Sequence, residues 1–140
     1  MKNLTLLVLI LLSWSCNWAS DFPVVINKQT EYAIVIPNKN NAHEAKAASA
    51  LQKYINLSMG VSMLVVNENN WKNKPGFFIG NTIKSKSFNI PKINGEGYFL
   101  SSNQKDVIIV GGSGKGVLYG TYAFLEKYLE PIAAKIENQR

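Results

Sequence analysis

One cysteine and one histidine occur in 140 residues. A single cysteine excludes an internal disulfide and a cysteine-based metal cluster. With His43 alone, no ligand spacing for zinc can be written either, and neither a metal nor any other cofactor is expected. Charge is sparse at 17%, and although the formal net charge is +6, the lysines are scattered singly. That is the pattern of a solvated surface rather than of a nucleic-acid footprint, so no nucleic-acid partner is expected. There is no internal repeat and no low-complexity stretch. The longest apolar run, Leu4–Leu12, is too short to span a bilayer. What is present is an apolar fraction of 46%, ordinary for a globular chain, and enough length for one domain with a real core.

Lys2 followed by Leu4–Leu12 has the short positive region and apolar stretch of an export leader. Ser13-Trp14-Ser15-Cys16 resembles a bacterial lipoprotein signal, in which Cys16 becomes the lipidated first residue. Ser13 and Trp14 stand where a leucine and a small residue are usual, and ordinary cleavage near Ser15 or Ser20 is the alternative. Residues 1–20 are therefore expected to be a signal peptide. The protein is expected to be exported, to the periplasm or the outer membrane and cell surface, touching the membrane only through a lipid anchor.

The densest structural signal is residues 106–129. Val107-Ile108-Ile109-Val110 is an unbroken β-branched run, as in a strand buried on both faces. A glycine-rich turn, Gly111–Gly116, follows and leads into an amphipathic helix. Val117, Thr121, Phe124 and Tyr128 make one stripe on that helix, and Leu118, Tyr122, Leu125 and Leu129 a second beside it. A glycine turn before a helix can aim backbone N–H groups at a phosphate, yet neither known fingerprint is satisfied. Walker A needs Ser or Thr after its lysine, and Lys115 is followed by Gly116. The dinucleotide pattern lands on Val117 or Tyr119 where its last glycine belongs. The glycines are expected to serve the turn, with Gly116 and Gly120 letting the helix lie close on its support.

Upstream, Phe22–Ile26 and Tyr32–Ile36 read as strands, the second ended by Pro37. Asn41 with Glu44 three residues on is a capping-box signature. The helix it opens places Ala47, Ala48, Leu51, Tyr54, Ile55 and Ser58 on one side, and Gly60 stands where a left-handed residue closes it. Val61–Val66, Phe77–Ile79 and Tyr98–Leu100 read as further strands, the last forming a hairpin with Val107–Val110. The polar, proline-marked stretches 67–76 and 83–94 read as surface loops. The pattern β-β-α-β-β-β-β-α predicts an α+β fold, an α/β sandwich in which a mixed β-sheet carries two helices packed mainly on one face.

Several of these segments together resemble one family. Ala47-Ala48-Ser49-Ala50-Leu51-Gln52-Lys53-Tyr54-Ile55, then Phe77-Phe78-Ile79-Gly80-Asn81-Thr82, then Gly95-Glu96-Gly97-Tyr98-Phe99-Leu100 occur in the order expected of it. So do Gly111-Gly112-Ser113 and Gly116-Val117-Leu118-Tyr119-Gly120. They resemble the accessory domain that precedes the catalytic barrel in bacterial α-glucuronidases, family 20 β-hexosaminidases and related large hydrolases. The likeness covers about residues 31 to 129. Lys115 stands where that family usually carries Arg, which keeps the charge and loses the bidentate geometry. With the leader read over 1–20, the resemblance implies an accessory domain over 21–130, and a short charged tail follows over 131–140. The resemblance also implies a (β/α)8 barrel as partner, in the same chain or another, and a role in polysaccharide or glycan degradation.

The catalytic carboxylates of those enzymes lie in the barrel, so no catalytic residue is assigned to this chain. Family 20 enzymes use an adjacent Asp-Glu, and that dipeptide is absent here. Glu44, Glu68, Glu96 and Asp106 show no spacing that selects a glycosidase pair, and His43 has no evident nucleophile to serve. Trp71, Phe77, Phe78 and Tyr98 are the aromatic candidates for stacking on sugars. Trp71, in a loop between Asn70 and Lys72, is the one chosen for carbohydrate binding, against the alternative that it folds back as a packing anchor. A stand-alone carbohydrate-binding surface lipoprotein is the second functional reading, and a nucleotide-binding enzyme using Gly111–Gly116 a third.

Overall fold

A computed structural model describes residues 24, 26–27 and 29–129. The leader, Cys16 and the tail lie outside the described residues, as does most of the expected strand Phe22–Ile26. Ile26 itself makes only an isolated antiparallel bridge to Gln29.

Five strands form one sheet in the order β2-β1-β3-β5-β4. They are β1 (Ala33–Ile36), β2 (Leu64–Asn67), β3 (Gly76–Ile79), β4 (Tyr98–Ser102) and β5 (Asp106–Gly111). β1 pairs in parallel with β2 and β3, and β3 pairs in parallel with β5. β4 closes the far edge antiparallel to β5. Its short connection is held by Asn103, whose side-chain oxygen accepts from the N–H groups of Lys105 and Asp106 at 2.9 and 2.8 Å. Two helices, α1 (Ala42–Met59) and α2 (Gly114–Tyr128), lie side by side on one face.

The interior strands are apolar throughout because both faces are covered, and side-chain alternation divides them cleanly. Ile34, Ile36, Phe77, Ile79, Val107 and Ile109 point to the helices. There they meet Ala47, Leu51 and Ile55 of α1, and Val117 and Leu125 of α2. Ala33, Val35, Phe78, Ile108 and Val110 point the other way. Among the described residues no α-helix covers that second face. It is closed by the stretches expected only as surface loops, which bring Trp71, Phe88, Ile90 and Ile93 down onto it.

α1 starts as its sequence predicts. The Asn41 side chain accepts from the His43 and Glu44 N–H groups, and Glu44 Oε2 accepts from the Asn41 N–H at 2.9 Å. Gly60 ends the helix at φ +69°. Two stripe assignments are corrected. Tyr54 is exposed rather than on the buried side of α1, and on α2 the buried line runs through Val117, Thr121 and Leu125 while Tyr122 and Tyr128 face solvent. The bulk of a tyrosine with its hydroxyl is easily left at the rim of an apolar face, whereas Thr121 is fully buried because its hydroxyl donates to the Val117 carbonyl at 3.0 Å.

At the amino ends of the strands, Asp106 is buried and paired with Lys84 at 3.0 Å. Burial, followed by the Asp106 carboxylate, raises the Tyr32 phenol above its ordinary 10.0. The neutral phenol is therefore favoured by folding. Its contribution is complete below the unfolded value of 10.0 and is lost as pH rises through the higher folded value. Stability should be insensitive to this group near neutrality and fall on the alkaline side. Phenolate absorbance should show a late component that Tyr32→Phe deletes. A titration unchanged by that substitution would disprove the assignment.

Candidate functional site

The parallel strands β1, β3 and β5 all deliver the chain to the same end of the sheet, where ligands bind in many open α/β folds. Three segments meet there: the first turn of α1, the Gly80-Asn81-Thr82 exit from β3, and the glycine turn between β5 and α2. Gly80 has φ +84°, and its missing side chain leaves the place that the Glu44 carboxylate fills. The Gly80 N–H continues the ladder to the Ile109 carbonyl at 2.8 Å. Thr82 is fully buried, its hydroxyl accepting from the Ser85 N–H at 3.1 Å. Gly-Asn-Thr is thus a strand exit shaped around the α1 capping box.

The glycine turn is filled by its own chain. A Cβ at Gly114 would press on the His43 ring, one at Gly112 on the Ile93 and Gly95 carbonyls, and one at Gly116 on the Gly97 carbonyl. The Gly112 N–H donates to the Gly97 oxygen at 2.9 Å, and the Gly116 N–H to Ser113 Oγ at 3.4 Å. Lys115 bonds Glu96 at 3.2 Å, and that hydrogen bond, followed by the charge of Glu96, raises the lysine above its ordinary 10.5. Two of the turn's N–H groups and its lysine thus have partners within the fold.

The other candidates are also accounted for. The Glu68 carboxylate accepts from the Asn38 N–H at 3.4 Å and the Ile83 N–H at 2.6 Å, tying together the loops that leave β1, β2 and β3. Among the described residues, then, Glu44, Glu68, Glu96 and Asp106 each serve a cap, a loop tie or an ion pair, and Asp106 lies at the opposite end of the sheet from Glu44 and Glu96. His43 is half-buried against Gly114, and no hydrogen bond joins its ring to a nucleophile among the described residues. No group of three potential metal ligands occurs among them, and no described helix is long and apolar enough to cross a membrane.

Trp71 is half-buried on the loop-covered face. Its ring packs T-shaped on Phe78 at 5.1 Å, its Nε1–H donates to the Lys74 carbonyl at 2.8 Å, and the Lys84 ammonium stands 5.8 Å from the ring centroid. Phe77 and Phe78 are core, and Tyr98 is exposed on the edge strand. What sequence reasoning missed is the apolar set Phe88, Ile90 and Ile93. Its signal was present as apolar residues recurring inside a lysine-rich stretch.

Comparison with known proteins places this arrangement. No curated protein sequence matches the chain. Among solved structures, a GH138 enzyme targeting pectin rhamnogalacturonan II aligns at a TM-score of 0.46 and 18% identity. The alignment covers 69% of this chain and 10% of that one, so the chain spans about a tenth of that enzyme's length. The family model described as Glycosyl hydrolase family 67 N-terminus matches residues 25–124, which takes in α1, all five strands and most of α2. The chain belongs to the family of glycosyl hydrolase family 67 N-terminal domains.

Proposed function

We propose that this domain is the non-catalytic N-terminal part of an exported α-glucuronidase-type machinery for polysaccharide or glycan degradation. It acts beside a (β/α)8 catalytic barrel carried by the same polypeptide or by another. The observation that carries this reading is the family match across residues 25–124. The matched family is 67, which favours the α-glucuronidase side of the resemblance over the family 20 β-hexosaminidase side. The engagement of Glu44, Glu68, Glu96 and Asp106 in the fold's own bonds supports the absence of chemistry in the domain itself. Export, with Cys16 as lipidation site, is part of the proposal and rests on the leader pattern.

The purified 140-residue chain should leave glucuronic-acid-bearing oligosaccharides intact, and a family 67 catalytic polypeptide should co-purify with it from its native source. Turnover of those oligosaccharides by the purified chain, diminished in a Glu68→Gln or Glu96→Gln variant that still folds, would refute the non-catalytic reading.

A further inference from the structure

Asn94-Gly95 is the sequence's one Asn-Gly pair, and the fold leaves both residues exposed. They begin the tight turn that enters β4, in which the Gly97 N–H donates to the Asn94 carbonyl at 3.1 Å and Gly95 takes φ +55°. Among the described residues, neither the Asn94 side chain nor the Gly95 N–H makes a hydrogen bond. A Cβ at Gly95 would meet nothing within 4 Å, so no neighbour shields the backbone there. The other asparagines differ. Asn41 and Asn103 hold backbone N–H groups, and Asn38 bonds Asn69. Every asparagine except Asn94 is also followed by a residue whose side chain crowds the next peptide nitrogen.

We infer that Asn94 is a site of spontaneous deamidation, a covalent modification that needs only solvent water. The Gly95 amide nitrogen gives its proton to hydroxide and attacks Asn94 Cγ. A carbon–nitrogen bond forms and closes a five-membered succinimide. The Cγ–Nδ2 bond breaks, and the side-chain nitrogen takes a proton from water and leaves as ammonia. Water then opens the ring. Attack at Cγ breaks the newly formed bond and gives aspartate. Attack at the main-chain carbonyl gives isoaspartate, in which the chain runs on through the former side chain. Nothing is oxidised or reduced, and the net change is an amide exchanged for a carboxylate.

The two products act differently on the fold. Aspartate leaves the backbone as it was and adds a negative charge two residues before Glu96, whose carboxylate is paired with Lys115 at 3.2 Å. Isoaspartate adds a methylene to the main chain and turns the Asn94 carbonyl, the acceptor of the Gly97 N–H, into a pendant carboxylate. The Ile93 and Gly95 carbonyls on either side lie against Gly112, where a Cβ would meet each at 2.8 Å. So close a fit does not take a lengthened turn without displacement. The isoaspartyl form therefore disturbs the seat of the glycine turn and, beside it, the bond from the Gly112 N–H to the Gly97 carbonyl.

The native full-length polypeptide is incubated at mildly acidic and at mildly alkaline pH, both folded and in urea. Peptide mapping by mass spectrometry locates the amide-to-acid mass gain, and chromatography against synthetic peptides separates aspartate from isoaspartate at residue 94. In the folded protein, Asn94 should convert ahead of every other described asparagine, several-fold faster at the alkaline pH, with both products present. The conversion should be lost in Asn94→Gln, whose longer amide closes a ring far more slowly. The isoaspartyl fraction should unfold at lower urea than Asn94→Asp, which carries the charge without the extra methylene. Conversion in urea but not in the folded protein overturns the inference, because the turn then protects the pair. Earlier conversion at another described asparagine overturns it as well. An isoaspartyl fraction as stable as Asn94→Asp would refute the close fit of the turn on Gly112.

Discussion

Phe78→Ala is expected to cost about 3–5 kcal/mol, the range for deleting a fully buried aromatic side chain. That is a large share of the roughly 5–15 kcal/mol that holds a domain of this size together. Phe78 is 0% exposed at the middle of the sheet, on the face closed by loops rather than by α1 and α2. Its ring is the floor on which Trp71 stands, and Trp71 in turn carries the loop that ends in the Lys74 bond. Removing it should lower the melting temperature by on the order of 20 °C, at about 4–8 °C per kcal/mol for a domain near 100 residues. Amide exchange should accelerate in the loops 67–76 and 83–94 before it does in α1. A loss below about 1 kcal/mol would mean that these loops collapse into the space, and that the second face is not a packed core.

Gly116→Ala separates two physical effects of opposite sign. Helix propensity alone favours alanine by about 1 kcal/mol at an interior helical position. The structure predicts a net loss of about 1–3 kcal/mol from overpacking, because the new Cβ would overlap the backbone carbonyl of Gly97 rather than a side chain that can rotate away. Gly114→Ala is the internal comparison. Its obstacle is the His43 ring, which can swing, so the loss should be smaller. Urea denaturation of both variants decides the matter. A stabilised Gly116→Ala would show that α2 does not approach the β4 entry as described.

Much of this architecture was legible in the sequence because local chemistry and tertiary context agree. Asn41 and Glu44 announce a capping box and form one, and Val107–Val110 reads as a doubly buried strand and is one. The spacing of Gly116 and Gly120 marks a close approach that the Gly97 and Tyr98 contacts bear out. What escaped is what depends on partners distant in sequence. Polar composition hid the packing of Phe88, Ile90 and Ile93, since their role exists only once the sheet has a second face to close. Helical periodicity assigned Tyr54, Tyr122 and Tyr128 to the core because it counts rings and does not weigh hydroxyls. The link between Glu44 and Gly80 was equally out of reach, because it joins a cap to a strand exit through a backbone of positive φ. No catalytic residue was assigned from sequence, and at the candidate site the carboxylates turn out to be devices of the fold.

The strand order has a kinetic corollary. The earliest described strand, β1, takes an inner place, where Ala33 must find both Leu64 and Gly76, and Gly76 must in turn find Asp106. Among the described strands, only β4 and β5 pair across a short turn. Each parallel pairing therefore closes a long chain loop before any contact rewards it, and such topologies assemble slowly for their size. A ribosome releasing this chain from its amino end presents β1 before the strands it pairs with. Until Asp106–Gly111 has emerged, the apolar strands β1 and β3 lack the partner that completes the parallel part of the sheet.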